Sequence, residues 1–172
     1  MVTRGASRAA GFSVESYDRD VRHGEVTEEI DAPATAVFDL VHDYAKRLTW
    51  DTLLSAAYLT DGATVAGAGV TSVCVGRRSL GGLALKTRYV TFDRGKVAAV
   101  KLINSPPFFG TWAASIRHVD FPNGRSRITY NWSFTARPTW LAWLFEPIMG
   151  RVFRWETRKR LRALRDHFAT TS

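Results

Sequence analysis

The chain has 172 residues, which is close to the size of one ordinary domain. Its residues are 45% hydrophobic and 23% charged, which excludes a disordered chain, and its single cysteine, Cys74, excludes a disulfide-rich secreted fold. No apolar window approaches the ~18 residues of a membrane-spanning helix, and no apolar stretch follows the first arginines, so we expect a soluble cytoplasmic protein.

The formal net charge is +8, and the excess is concentrated near the C-terminus. Seven basic and two acidic side chains lie in residues 151–168, so this segment supplies +5. A basic helix can bind nucleic acid or an anionic membrane surface. The alternative, which we favour, is a solvated outer face whose cations suit the C-terminal end of a helix dipole.

The first predicted strand follows a long polar leader. Residues 1–23 show no sustained hydrophobic period and are predicted to be a mobile N-terminal leader. From Gly24 to Ile30 the side chains alternate between two faces, which indicates a strand. Pro33 ends the strand and can begin a helix, because its missing N–H would be unpaired there anyway.

Two helical segments are predicted next. In the first, apolar side chains recur at spacings of three and four, which places them on one face of a helix. They are Val37, Phe38, Leu40, Val41 and Tyr44. A second, shorter helix is predicted around Trp50.

Residues 54–137 are rich in β-branched and aromatic side chains and predict a sheet. The strands are placed at 70–78, 83–93, 96–104, 108–121 and 126–137. Turn residues separate them, and Asn123-Gly124 is the strongest signal because it supplies the positive φ angles of a tight hairpin. Short connections join antiparallel neighbours, so we expect a consecutive meander of about six strands.

A long helix is predicted to end the chain. After Pro138, apolar residues recur at helical spacing for about thirty residues, far beyond a mean helix of ~11–12. Pro147 lies inside this segment and predicts a kink, since proline removes a backbone hydrogen bond. No internal repeat or second linker is present, so residues 24–169 are predicted to form a single domain.

This order of elements predicts an α+β fold with a curved antiparallel sheet of six to seven strands wrapped around the long kinked C-terminal helix. A helix of roughly 10–12 Å diameter cannot fill the concave side of a wide sheet. The remaining space is either a pocket or is filled by the 6 Trp, 5 Tyr and 10 Phe side chains. Both alternatives stay open.

The residues from Ile30 to Trp50 resemble the opening of the START-like (SRPBCC) superfamily. In that superfamily a strand runs into Ala-Pro, here Ala32-Pro33, and an amphipathic helix, and a tryptophan follows in the next helix. Gly-Ala-Gly-Val at 67–70, the meander and the terminal helix fit the same pattern. Within it the chain is most similar to the polyketide cyclase/dehydrase and lipid-transport branch, related to the Bet v 1 allergens.

The resemblance covers about residues 24–169 and implies a helix-grip fold, with two short helices after the first strand and a hydrophobic cavity between the sheet and the C-terminal helix. Members of the superfamily bind lipids, sterols, polyketides or hormones, and a minority catalyse reactions on them. The motifs that carry the resemblance describe the fold and not a particular chemistry.

Signatures of cofactor, metal and nucleophile chemistry are absent. Gly67-Ala68-Gly69 lacks the third glycine of a dinucleotide fingerprint, and no serine lies in a nucleophile elbow. The four histidines have no ligand spacing and one cysteine cannot build a zinc cluster, so we expect no metal and no cofactor.

Strand parity instead predicts which side chains face the cavity. Where lysine or arginine marks the outer face of a strand, residues of the opposite parity point inward, unless a bulge inverts them. The candidate catalytic residues are Glu28, Tyr89, His118 and Tyr130. The candidate ligand-binding residues are Tyr89, Asn104, Trp112, His118, Tyr130, Trp132 and Trp143.

Each candidate also has a purely structural interpretation. Glu28 is expected at the open edge or paired with an arginine, because burying it unpaired is costly. Asn104 can simply turn the chain, and His118 can be exposed or satisfy a loop carbonyl. The tyrosines and tryptophans can be core aromatics. Asp51, beside Trp50, is interpreted as a surface carboxylate.

Three functions remain open, in order of preference. The first is binding of a hydrophobic small molecule, namely a lipid, a polyketide or an aromatic metabolite. The second is a cyclase or dehydratase in which His118, with Tyr89 or Tyr130, supplies acid–base groups. The third is an interaction module that uses the basic C-terminal helix on RNA or a membrane. Ligand identity, turnover and oligomeric state are not determined by the sequence.

Overall fold

A computed structural model describes residues 22–171, and the structural statements below concern this part of the chain. The predicted leader lies outside these residues except for its last two, Arg22 and His23. Both belong to the first strand, which the sequence predicts from Gly24 and which in the structure includes Arg22 and His23.

The described residues form seven strands and three α-helices. In chain order they are β1 (Arg22–Ile30), α1 (Ala34–His42), α2 (Arg47–Trp50), β2 (Leu54–Leu59), β3 (Thr71–Gly76), β4 (Ala84–Asp93), β5 (Val97–Leu102), β6 (Phe109–Asp120), β7 (Ser126–Ala136) and α3 (Ala142–Thr171). Single 3-10 turns lie at Arg78–Leu80 and Thr139–Leu141. None of the helices in residues 22–171 is long and apolar enough to cross a bilayer.

All seven strands form one antiparallel sheet in the order β1-β7-β6-β5-β4-β3-β2. β2 to β7 follow one another as the predicted meander, and β1 pairs with the last strand. The sheet curls into a half-barrel with the long helix against it, so the predicted helix-grip fold is confirmed. β2 is the one strand for which the sequence supplied no separate boundary.

The hairpin between β6 and β7 turns at Asn123 and Gly124, whose φ angles are 101° and 75°. This is the positive-φ geometry that the Asn-Gly pair predicts. At the end of β6, Asp120 Oδ1 accepts a hydrogen bond from the Ala34 N–H at 2.7 Å. A carboxylate at the first turn of α1 satisfies an otherwise unpaired donor and suits the helix dipole, so it holds α1 against this end of the sheet.

α3 packs against β1 and β7 and covers only one side of the concave face. Leu161 and Leu164 are fully buried there, in one core with Ile30, Ile128 and Phe134. Pro147 lies in the second turn of this 30-residue helix, and the bend it predicts stays a prediction. Because α3 lies over the β1–β7 edge, it does not cover the concave surface of β3 to β6.

Candidate functional site

A cavity of about 530 Å³ lies between the concave face of the sheet and α3. It is the space that one offset helix leaves uncovered, so the aromatic side chains do not fill the interior. Small-molecule sites are typically roughly 300–1,000 Å³, and this volume falls within that range.

The walls of the cavity are mostly apolar. Those from the sheet include Leu85, Val100, Trp112, Ala114 and Ile116, and those from α3 include Phe145, Ile148, Met149, Val152 and Phe153. Alternation along β4 to β6 places the sheet residues on the concave face, as their parity predicts.

The cavity opens beside the N-terminal half of α3. Phe108, Ile148 and Val152 line it and are also exposed to solvent, so they form its rim. Ser79 and Leu80, from the 3-10 turn between β3 and β4, line the cavity as well. The opening therefore lies among the β3–β4 connection, the β5–β6 connection and α3.

A cluster of charged side chains lies at the polar part of the cavity wall. Arg47 Nε donates to Asp51 Oδ2 at 2.9 Å, and an Arg160 Nη donates to the same oxygen at 2.6 Å. Arg47 also donates to the Val41 carbonyl. Both arginines line the cavity, and Asp51, only 2% exposed, lies behind them. The interpretation of Asp51 as a surface carboxylate is therefore wrong, because α2 turns it towards α3.

The charges of this cluster stabilise one another. Burial raises the pKa of the Asp51 carboxyl. The guanidiniums of Arg160 and Arg47 together lower this pKa by more than burial raises it, so the net shift is downward. Burial lowers the pKa of Arg47, but the Asp51 carboxylate, together with the nearby Cys74, Tyr44 and Tyr89, raises it by more, and the net direction is upward. The Arg47 guanidinium lies 4.9 Å from the Trp50 ring, and that of Arg160 lies 5.3 Å from the Tyr130 ring. Asp51 and Arg47 therefore keep their charges around neutral pH.

Two further polar side chains of the cavity wall contact the hydroxyl of a third, Tyr89. His42 Nδ1 lies 2.9 Å from it and the Tyr44 hydroxyl 3.1 Å. Burial lowers the pKa of His42 well below its usual range, and Arg47 and His118 act in the same direction. Burial raises the pKa of Tyr89 well above its usual value, and burial also raises that of Tyr44. Near neutral pH the imidazole is uncharged and both phenols keep their protons.

Two side chains of the cavity wall carry N–H donors that have no hydrogen-bond partner in the described part of the chain, namely Trp112 Nε1 and Arg160 Nε. His42 Nε2, on a third side chain of the wall, has no hydrogen-bond partner there either. A buried N–H without an acceptor is costly, and native proteins rarely leave one unpaired. Their side chains line the cavity, so a molecule bound there is a candidate partner for these atoms.

Of the candidate catalytic and ligand-binding residues, three line the cavity: Tyr89, Trp112 and Tyr130. Their predicted roles towards a ligand stay predictions. Within residues 22–171, no group of three or more His, Cys, Asp or Glu side chains is arranged to hold a metal ion.

His118 and Asn104 lie outside the cavity, which corrects their predicted placement. His118 faces inward from β6 but lies under α1, where it is 5% exposed and its ring is 5.3 Å from that of Phe38. Strand parity predicts correctly that His118 lies on the concave face of the sheet, but α1 covers the concave face at that position. The Asn104 amide bonds to the Lys86 N–H and the Ala84 carbonyl, both at 2.9 Å, so it ties β4 to the end of β5.

Glu28, Trp132 and Trp143 do not line the cavity either. Glu28 accepts a hydrogen bond from Arg165 at 2.6 Å, the paired arrangement that its burial cost predicts. Trp132 occupies the space beside Gly24, where any side chain would overlap its indole ring, and α3 covers it through Phe153. Trp143 is 72% exposed, because it lies on the outer side of the first turn of α3.

The charged cluster and the contacts of His42 and Tyr44 with the Tyr89 hydroxyl were not predicted from the sequence. Arg47 and Asp51 are four residues apart on either side of Trp50, which is the spacing of a helical ion pair and was the available signal. Arg160 carried no such signal, since it is one of seven basic residues in a single segment. Only the packing of α3 separates it from its exposed neighbours.

Replacement of Asp51 by Asn is expected to lower the free energy of unfolding by about 3–5 kcal/mol, because it leaves two buried guanidiniums without a counter-charge. Urea unfolding at neutral pH measures this. The matched control is Asp39→Asn, which breaks the exposed pair with Arg94 and should cost less than about 1 kcal/mol. Equal losses for the two variants would contradict the role of the buried cluster.

His118 predicts a loss of stability in acid. Burial lowers its pKa in the folded protein to about 4, from an ordinary value of 6.5. Its contribution is therefore complete above pH ~6.5 and is lost as the pH falls towards ~4, by on the order of 3 kcal/mol. Unfolding free energies measured across this range should fall less steeply for His118→Gln than for the native chain. The exposed His23→Gln is the control, and an unchanged slope in His118→Gln would refute the prediction.

Solved structures share this fold at low sequence identity. An aromatase/cyclase, ZhuI, from Streptomyces sp. R1128 superimposes with a TM-score of 0.70 at 16% identity, over 87% of this chain and 94% of that one. A START superfamily protein from Mycobacterium smegmatis gives 0.65 at 10% identity, over 87% and 99%. Protein XoxI from Bacillus cereus gives 0.69 at 15% identity, over 86% and 95%.

No curated protein matches the sequence. The model of one family, described as polyketide cyclase / dehydrase and lipid transport, matches residues 22–169. This match spans every strand and nearly all of α3, so it includes all the elements that enclose the cavity. The chain belongs to the polyketide cyclase / dehydrase and lipid transport family.

Proposed function

We propose that this protein binds an oxygenated, predominantly apolar small molecule, such as a lipid, a polyketide or an aromatic metabolite, in the cavity between the sheet and α3. One observation carries the proposal: a cavity of about 530 Å³ has apolar walls interrupted by buried N–H donors that have no partner among the described residues. Apolar walls with a few fixed polar groups are typical of small-molecule sites.

The distribution of side chains supports an orientation for the ligand. Its apolar body packs between the aliphatic wall of β4 to β6 and the inner face of α3. Its oxygen atoms accept hydrogen bonds from Trp112 Nε1 and Arg160 Nε. The description of the family, polyketide cyclase / dehydrase and lipid transport, is consistent with such a ligand.

A side chain that fills the cavity is expected to abolish binding. Ala114→Phe places a ring inside, from a small residue of the β6 wall. Ala113→Phe is the matched control, since the preceding residue of the same strand points to the opposite face. Native mass spectrometry of freshly purified protein should detect a co-purified ligand in the native chain and in Ala113→Phe but not in Ala114→Phe. Binding of oleic acid, cholesterol and an anthraquinone, followed by fluorescence, should show the same pattern.

The hydrogen-bonding part of the proposal has its own control. Trp112→Phe keeps an aromatic ring and removes one N–H, so affinity for an oxygen-bearing ligand should fall about fivefold, the equivalent of ~1 kcal/mol. Failure of the native chain to bind any of these compounds, or equal binding by Ala114→Phe and Ala113→Phe, would refute the proposed site.

A second candidate function is a cyclase or dehydratase acting on a polyketide-like ligand. It is favoured by the chain of hydrogen bonds from His42 through Tyr89 to Tyr44 on the cavity wall. Aldol-type ring closure needs a proton acceptor near the reacting carbon and a donor to the developing enolate oxygen. A neutral imidazole and protonated phenols are the matching groups. His42 takes the place that the sequence-based hypothesis gave to His118, and Tyr89 keeps its place.

In this case His42→Gln and Tyr89→Phe should each slow ring closure of a poly-β-ketone mimic by about 100-fold or more, as loss of an acid–base group does. Product formation followed by liquid chromatography and mass spectrometry measures the rate. His118→Gln, outside the cavity, is the control and should retain the native rate at pH 8. A native chain no faster than buffer alone would exclude this function and leave the binding proposal intact.

A further inference from the structure

The outer side of α3 exposes an unusual number of large apolar side chains. Three of the six tryptophans are exposed, and all three lie between residues 140 and 155. We define the α3 surface as the exposed apolar residues of this segment: Trp140, Trp143, Leu144, Ile148, Val152 and Trp155. Contiguous apolar surface of this kind marks a site of interaction with a protein or a membrane.

Part of the α3 surface forms a stripe that reaches the cavity. Leu144, Ile148, Val152 and Trp155 follow one another at spacings of four, four and three, which places them on one face of the helix. Ile148 and Val152 also line the cavity. The stripe therefore runs along the opening, with Trp140 and Trp143 at the beginning of the helix.

The charges beside this stripe have one sign. Between residues 143 and 162, all of which the structure describes, both carboxylates, Glu146 and Glu156, are buried. Five cationic side chains of the same segment are exposed: Arg151, Arg154, Arg158, Lys159 and Arg162. Lys159 lies 5.2 Å from the Trp155 ring, so cations and aromatic rings are interleaved. The exposed side of this segment is both apolar and purely basic.

We propose that the α3 surface docks on an anionic lipid bilayer. Tryptophan is enriched at the level of lipid headgroups, and helices that lie in this interface carry arginine and lysine on the polar face and Trp or Leu on the other. A second copy of the chain fits less well, because a two-fold contact would bring the five cations against their equivalents. A nucleic acid would pair with the cations but not with the aliphatic stripe.

Docking in this orientation places the cavity opening against the membrane. The rim residues Ile148 and Val152 contact the lipid, so an apolar molecule can pass between bilayer and cavity without crossing water. This consequence rests on the proposed function, whereas the docking itself depends only on the α3 surface.

Co-sedimentation of the full chain with phosphatidylcholine vesicles, with and without phosphatidylserine, tests the proposal. Binding should require phosphatidylserine, weaken at high salt and shift the tryptophan emission to the blue. Arg154→Gln combined with Arg158→Gln should weaken binding by roughly 30-fold, from ~1 kcal/mol for each cation near the surface. Trp143→Ser combined with Trp155→Ser should also weaken it and should remove most of the blue shift.

The matched charge control is Arg88→Gln combined with Arg117→Gln, which removes two exposed cations from the outer face of the sheet. This variant should bind vesicles like the native chain. The proposal is overturned by equal binding to neutral and anionic vesicles, by equal losses in the two arginine pairs, or by retention on an oligonucleotide without vesicle binding. Ligand binding by Ala113→Phe and Ala114→Phe is measured in a separate experiment. A failure of membrane docking can therefore be distinguished from a failure of the proposed cavity site.

Discussion

The buried carboxylate of Asp51 is held between Arg47 of α2 and Arg160 of α3, and the polar part of the cavity wall depends on this interaction. Such charges are costly to bury, and their mutual attraction and the hydrogen bonds among them offset that cost. Because the two arginines come from different helices, the cluster ties α2 to α3 beside the cavity. A neutral core at this point would pack, but it would not present guanidinium groups to a molecule inside.

The chemistry of the cavity follows from where α3 is held. The helix packs on β1 and β7, so Trp132 and Phe134 are covered, while the concave surface of β4 to β6 stays open and apolar. Polar groups line only part of the wall, and burial keeps His42 uncharged and Tyr89 protonated. The same arrangement suits a bound oxygenated ligand and acid–base chemistry on it, so the two proposed functions share one site.

α3 combines three roles within one amphipathic sequence. Its inner face supplies the core leucines and the charged cluster, its side facing the opening supplies rim residues, and its outer face carries cations and tryptophans. Glu146 and Glu156 are buried, whereas five basic residues between residues 143 and 162, unlike Arg160, are exposed, so burial separates the acidic side chains from most of the basic ones. Net charge along the sequence does not reveal this division.

The sequence alone determined the order of elements, the antiparallel meander, the hairpin at Asn123-Gly124 and the inward parity of Tyr89, Trp112 and Tyr130. These depend on local periodicity and turn chemistry, which neighbouring residues decide. Tertiary structure alone decided that Asp51 and Arg160 are buried, that α1 covers His118 and that Trp143 faces solvent. Parity and helical spacing specify which face a side chain occupies, but which element lies over that face, and where, is decided by packing between segments far apart in the chain.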